Sequence, residues 1–379
     1  NIAHLIIGDI TGGNTVNDIA FVIRCVSFAI LIVPSLSISR GYLQGHNYIA
    51  PSSFSQVIEQ IVRVSVILIG SYCGLKVFHL ELRSAVGIAV FGAFVSALVA
   101  YFYLMSKMMK VKSEINASGK NLNKADKTMI IKKIIMYSIP FIFTNVASTL
   151  YNSIDMILVI RGLNILKYPA TQIEEISSIF TTWGAKLNMI ITSIASGFTV
   201  SLIPNMVKSF NEKNYNDISK KINKIISIFL YIALPIAIFM SIFSKNIWNV
   251  FYGTSEFGPI VFRFFIITAA MDAFNIMMLS AMQGLNKSKL IYIAVSCGLG
   301  CNLLLDLPLI LLFNKLGLYP YYGAIMATII GYTVSLLIPL ISLKKEFKIS
   351  YKETVKKLPK LLLSYLLMIS ICVSLSYIY

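Results

Sequence analysis

Eight ionisable side chains stand inside long apolar stretches of this sequence: Arg24, Glu59, Arg63, Asp155, Lys186, Arg263, Asp272 and Asp306. In an apolar surrounding a charge is costly and persists where it has a partner, an aqueous cavity or a ligand, so each is a candidate for function. Glu59 and Arg63 are four residues apart with the acid first, the favourable order for a pair along one helix, and Gln56 and Gln60 flank them. That pair reads either as a strut between helices or as part of a path for a polar ligand. Lys186, in Trp183-Gly184-Ala185-Lys186-Leu187-Asn188, reads either as an interfacial anchor whose ammonium reaches headgroups or as a cation for an anionic ligand. Arg24 carries the same two readings.

Asp155 ends a polar stripe formed with Asn145, Thr149 and Asn152. Those asparagines and Asn188 supply neutral hydrogen bonds, either to a ligand or between helices. Asp155 is also a candidate coupling site for a monovalent cation or a proton. Asp272, and Asn302 with Asp306 one turn further on, are positions for inter-helix hydrogen bonds or ion pairs. Five cysteines lie in apolar stretches; Cys297 and Cys301 share a helical face, but the chain has only three histidines and none stands close to them. No nucleophile elbow, phosphate-cradling glycine loop, HExxH or paired CxxC occurs, so hydrolytic, ATP-driven and metal chemistry have no residue basis. No cofactor is expected, and the chain reads as a non-enzyme. Thr11-Gly12-Gly13-Asn14 reads as a loop turn.

These groups must be held by membrane elements. The chain is 57% hydrophobic and 13% charged, with a mean hydropathy of +0.77, which excludes a water-facing surface over most of its length. Runs of about twenty apolar residues, enough to cross a bilayer core, fall near 19–39, 53–75, 82–105, 133–160, 177–206, 221–244, 257–282, 288–313, 321–343 and 360–379. They are continuous rather than alternating, which argues against a β-barrel. Pro34, Pro140, Pro204, Pro235, Pro308 and Pro339 predict kinked, closely packed helices. The sequence opens at Asn1 without a methionine and stops at Tyr379 inside an apolar run, so both ends read as cut.

The net charge of +17 resides in the loops, which reads as a topology signal rather than a nucleic-acid surface. One side collects Arg40, the lysines of 107–133, 208–224, Lys287, Lys289 and the lysines of 344–360. The other has Lys76, Arg83, Arg161, Lys167, Lys245 and Lys315. The first side is therefore cytoplasmic, the first visible helix runs inward, and the chain is a multi-pass protein of the cell membrane. Arg24 and Lys186 then lie toward the outer face.

Gln44-Gly45-His46-Asn47 closes the first span and Gln283-Gly284-Leu285-Asn286 closes the seventh. Each is followed by two spans and a lysine-rich inner loop, so the repeat is parallel. The expectation is an all-α polytopic membrane protein of two parallel six-helix lobes around a central cavity, with alternating access by rocking. The lobes are expected as 1–125, with three helices present, and 126–345, with six; 346–379 begins additional helices.

Arg40-Gly41-Tyr42-Leu43-Gln44-Gly45, then Pro51 and Ser55-Gln56-Val57-Ile58-Glu59-Gln60-Ile61-Val62-Arg63-Val64, resembles the polysaccharide-biosynthesis / stage V sporulation protein B branch of the multidrug/oligosaccharidyl-lipid/polysaccharide flippase superfamily. Tyr137-Ser138-Ile139-Pro140, Ser201-Leu202-Ile203-Pro204, Ala281-Met282-Gln283-Gly284-Leu285-Asn286 and the Gly323-Ala324 to Gly331-Tyr332 region follow in the same order. The resemblance implies a fourteen-helix MATE-like fold, of which helices four to thirteen are present here. It implies a flippase that carries an undecaprenyl-linked sugar, lipid II or a polysaccharide repeat unit, from the inner to the outer leaflet. Under that reading Lys186 and Arg24 face the substrate pyrophosphate, Arg63 lines the substrate path, and Asn145, Thr149, Asn152 and Asn188 face sugar hydroxyls. Two alternatives stand beside it. One is a cation-coupled multidrug exporter of the same superfamily. The other is a membrane scaffold that recruits cell-envelope synthesis enzymes through its basic loops.

Overall fold

The computed structural model describes residues 16–46, 48–117 and 124–378; among these, helices and turns account for the chain and no strand occurs. The Gly12-Gly13 turn, Asn47 and Lys120 lie outside the described residues. The chain divides into two compact units, Asn1–Lys127 and Thr128–Tyr379.

In the first unit α1 (Val16–Gly45) and α2 (Ile49–Ser65) both pack on α3 (Leu82–Ala117). Leu36 and Leu43 of α1 bury against Ala97, Ala100 and Leu104 of α3; large side chains entering a small-residue face let the two backbones approach closely. α2 runs on through two π turns, Val66–Gly70 and Cys73–Val77. At the far end Asp18 pairs with Arg83 at 3.4 Å, and the Arg83 guanidinium lies 4.8 Å from the centre of the Phe21 ring.

The second unit contains α4 (Lys124–Ile165), α5 (Ala170–Ser178), α6 (Gly184–Asn211), α7 (Tyr215–Ile228), α8 (Leu234–Ile242), α9 (Ser244–Tyr252), α10 (Gly258–Gly284), α11 (Ser288–Lys315), α12 (Tyr321–Glu346) and α13 (Lys352–Ile378). Local chemistry sets several boundaries. The Asn214 side chain caps α7 by accepting the Asp217 N–H at 3.0 Å, satisfying a donor the helix start leaves free. Pro259 sits in the first turn of α10, where a missing N–H costs nothing. Pro235 enters α8 directly after the π turn Phe229–Ala233, whose wider backbone relieves the crowding a proline imposes on the preceding turn.

α10 is buried along most of its length and packs on α6, α12, α8 and α9. α11 and α12 form the tightest pair. Gly298 and Gly331 face each other there, and a Cβ added at Gly298 would come within 2.6 Å of the Gly331 carbonyl oxygen and 2.5 Å of the Tyr151 hydroxyl. A Cβ at Gly323 would strike the Leu309–Ile310 backbone at 2.4 Å. Contact this close is what glycine permits between membrane helices.

Nine helical segments of the described residues are long and apolar enough to cross a bilayer: 20–44, 50–77, 82–110, 128–165, 215–242, 258–284, 288–315, 321–346 and 354–376. The remaining expected span, 177–206, corresponds to the π turn Ile179–Trp183 together with α6, and stands apart from those nine; it lies along α10. Leu362, Leu363, Leu366, Leu367 and Ile371 make an exposed apolar face on α13. On a water-soluble protein that face would drive association, and in a bilayer it contacts acyl chains.

The glycine packing has a direct test in one helix. Gly298→Ala should destabilise the detergent-solubilised protein by about 1–3 kcal/mol through overpacking. Gly300→Ala, where nothing lies within 4 Å of the new Cβ, should be neutral or stabilising by about 0.5–1 kcal/mol. Thermal unfolding of both variants decides the point, and equal effects would refute the account.

Candidate functional site

In the first unit the motif residues and the expected charge pair meet. Glu59 pairs with Arg63 one turn on, and its other oxygen takes the Arg40 guanidinium at 2.9 Å. Arg40 Nε also donates to Ser55 Oγ at 2.8 Å, while Gln44 Nε2 donates to Ser52 Oγ at 2.8 Å. Arg40 and Gln44 thereby bind α1 to α2. Glu59 is buried and serves two guanidinium groups, so this cluster keeps one unit of positive charge in excess. Gln56 is exposed, as are Gly41 and Arg24. α1 ends at Gly45 and α10 at Gly284; Gln283 lies in the last turn of α10, and the Asn286 N–H reaches the Gln283 carbonyl with a φ of +56°. The two glycine-ended segments thus both act as helix terminators.

In the second unit most of the other candidates come together. A pocket of about 320 Å³ is lined by Asn152 and Asp155 from α4, Lys186 and Asn188 from α6, Asp272 from α10, and Thr328 from α12. The π turn Ile179–Trp183 carries Thr181 and Thr182 onto its wall. Gly184 follows that turn, and a Cβ there would lie 2.7 Å from the Ile179 carbonyl oxygen and 3.0 Å from the Phe265 ring. Such single π turns recur where a helix is re-aimed at a functional site. Asn145 does not line this pocket; it faces a separate surface cleft beside Ile142 and Val146.

Lys186 is exposed to the pocket and makes no ion pair among the described residues. The Asn188 side-chain oxygen is buried without a donor. Thus a cation and an amide are both left available to a ligand.

Below them lies a buried polar cluster from three helices. Asn302 Nδ2 donates to Asp155 Oδ1 at 3.0 Å and approaches Thr328 Oγ1 at 3.2 Å, while the Thr328 hydroxyl reaches Asp155 Oδ2 at 2.9 Å. Asp306 faces Asp155 across the cluster, yet no N–H or O–H donor reaches either of its oxygens, nor Asn302 Oδ1. Asp155, Asn302, Asp306 and Thr328 are all buried. Two carboxyl groups therefore share a closed space with no protein cation, and burial of that kind demands a compensating proton or cation. Tyr332 borders this region: its ring stacks on Tyr151 at 4.8 Å between centroids, and its side chain lies near Asp272, with which it lines the pocket. Among the described residues no cluster of three or more His, Cys, Asp or Glu suited to a metal ion occurs.

Thr328 and Tyr332 escaped the sequence reading. The signal was present in their spacing, since Thr328, Tyr332 and Ser335 recur every three to four residues on one face of α12, interleaved with Gly331. Ser335 uses that face to donate to Asn275 of α10 at 3.0 Å.

Comparison with known proteins places this architecture. The family model described as polysaccharide biosynthesis protein matches residues 3–210, more than half of the chain, and the MatE model matches residues 180–307. The chain is 32% identical over 368 residues to "Lipid II flippase MurJ" of Bacillus subtilis (strain 168), covering 92% of this chain and 64% of that protein. It is 22% identical over 284 residues to "Stage V sporulation protein B" of the same organism, covering 69% of this chain and 53% of that protein. The chain thus spans about two thirds or less of the length of these relatives. Among solved structures it is similar to a lipid II flippase MurJ in an inward closed conformation, with a TM-score of 0.58, 18% identity, and coverage of 92% of this chain and 70% of the other. An inward-facing multidrug resistance MATE family transporter matches with a TM-score of 0.66, 13% identity, and coverage of 92% and 75%. The all-helical fold, the membrane-length spans and the long family match agree: this chain is a multi-pass membrane protein that belongs to the polysaccharide biosynthesis protein family of the multidrug/oligosaccharidyl-lipid/polysaccharide flippase superfamily.

Proposed function

We propose that this protein is a flippase that carries a polyprenyl-linked sugar precursor, of the lipid II kind, from the inner to the outer leaflet by alternating access. The observation that carries the reading is the unpaired Lys186 in a polar pocket walled by Asn152, Asn188, Thr181 and Thr182. An ammonium among amides and hydroxyls suits a ligand that joins a diphosphate to sugar hydroxyls. The similarity to a relative named as a lipid II flippase supports the substrate class. The excess positive charge at Arg40–Glu59–Arg63 adds a second cationic surface in the first unit, and Arg24 a third candidate.

The coupling step in this proposal belongs to Asp155 and Asp306. A cation or proton entering between them neutralises a buried charge that the protein leaves uncompensated, and Asn302 and Thr328 must then re-aim their dipoles. Because these residues come from α4, α11 and α12, loading changes the packing preference of three helices at once. Binding energy of the ion is thereby converted into a bias between conformations.

The second reading, a cation-coupled multidrug exporter, is favoured by the Tyr151–Tyr332 stack beside an acidic group, an arrangement that suits flat organic cations. Efflux of a cationic dye from cells producing the protein, together with unaltered delivery of labelled lipid II to the outer leaflet on its depletion, would select this reading over the flippase.

For the flippase, Lys186→Gln should lower outer-leaflet delivery of labelled lipid II about tenfold or more, the scale of a lost charge-assisted contact, while Lys186→Arg retains most of it. Full delivery by the glutamine variant would remove the proposed role of Lys186. Asp155→Asn and Asp306→Asn should each abolish the dependence of delivery on a sodium or proton gradient, measured in proteoliposomes with imposed gradients. Retained gradient dependence in both variants would eliminate the coupling assignment.

A further inference from the structure

A basic surface that the proposed transport does not use lies at the turn between α12 and α13. A cleft of about 570 Å³ there is lined by Lys344, Lys348, Lys352 and Lys356, with Tyr351 and Val355 on its floor. All four lysines are exposed, and none makes an ion pair among the described residues. The neighbouring carboxylate Glu346 is already engaged by Lys287. The cleft continues into a second cavity of about 310 Å³, which shares Lys344, Tyr351 and Val355 and is walled by Leu230, Leu340 and Leu358.

The turn is fixed rather than loosely held. Ile349 is buried, the Asn223 amide donates to the Ser350 carbonyl at 3.0 Å, and Thr354 Oγ1 donates to Asn223 Oδ1 at 2.7 Å. The Tyr351 hydroxyl donates to the Leu340 carbonyl at 2.9 Å, and that of Tyr365 to the Leu230 carbonyl. These bonds hold the start of α13 over α7 while an apolar groove stays open between α12 and α13.

We infer that this surface is a docking site for a diacyl anionic phospholipid of the inner leaflet. The lysine excess places the turn at the cytoplasmic headgroup layer. Four exposed ammonium groups, without an ion pair among the described residues, complement a phosphodiester, and the groove running from them into the apolar layer complements an acyl chain. A peptide or nucleic acid would satisfy the lysines but leave the apolar groove unfilled. The pocket around Lys186 shares no residue with this surface, so the site is independent of the transported substrate.

The test is native mass spectrometry of the full chain in detergent, titrated with dioleoyl phosphatidylglycerol, dioleoyl phosphatidylcholine and undecaprenyl phosphate. The wild-type protein should prefer phosphatidylglycerol to phosphatidylcholine. Each Lys→Gln change at 344, 348, 352 or 356 should weaken phosphatidylglycerol binding about fivefold, the effect of one basic residue at an anionic surface. The quadruple variant should lose the preference, whereas Lys110→Gln, Lys132→Gln, Lys133→Gln and Lys289→Gln combined, with the same charge removed elsewhere, should keep it. Val355→Trp fills the groove, leaves all four lysines in place, and should weaken binding as well. The inference is overturned if the quadruple variant keeps the preference, if the control loses it equally, if Val355→Trp binds normally, or if undecaprenyl phosphate displaces phosphatidylglycerol at equal concentration.

Discussion

The structure depends on one electrostatic constraint: a charge carried into an apolar layer must be matched there, because water is absent to do so. The two units meet this constraint in opposite ways. In the first, one buried carboxylate serves two guanidinium groups, leaving positive charge over. In the second, two carboxyls lie together with an amide and a hydroxyl but no protein cation, leaving negative charge over. A purely structural strut would be matched within itself, as Asp18 and Arg83 are.

The helical scaffold makes such surpluses tolerable. Glycines at the α11–α12 contact bring two backbones close enough to hold Asn302 and Thr328 on the same carboxylate. The π turn before α6 re-aims that helix so that Lys186 and Asn188 face the same pocket as Asp155. Close packing costs little in lipid, where small residues gain dispersion contacts that larger ones would block. Rigid packing around the cluster means that, in the proposed coupling, a change of charge at Asp155 and Asp306 is felt by all three helices that hold it.

Membership of the polysaccharide biosynthesis family and similarity to MATE-type structures place the fold without dictating the chemistry of the site. The same fold serves relatives named for lipid II and for multidrug resistance. Under the proposed flippase reading, Lys186 among amides favours a diphosphate-linked sugar, whereas the alternative exporter reading rests on the stacked tyrosines beside an acid.

The sequence alone determined the class of solvent, nine of the ten expected spans, the gathering of bases into loops and the Glu59–Arg63 pair. All of these depend on composition or on neighbours within one helical turn, where spacing translates directly into contact. It did not determine that Arg40 completes the pair from a second helix, nor that Thr328 and Asn302 converge on Asp155. Those contacts join residues 147 and 173 positions apart. Hydrophobic periodicity says which face of a helix turns inward but not which helix it meets or at what height. Only the packed tertiary structure, set by glycine contacts and the π turn, brought those distant polar groups to one carboxylate.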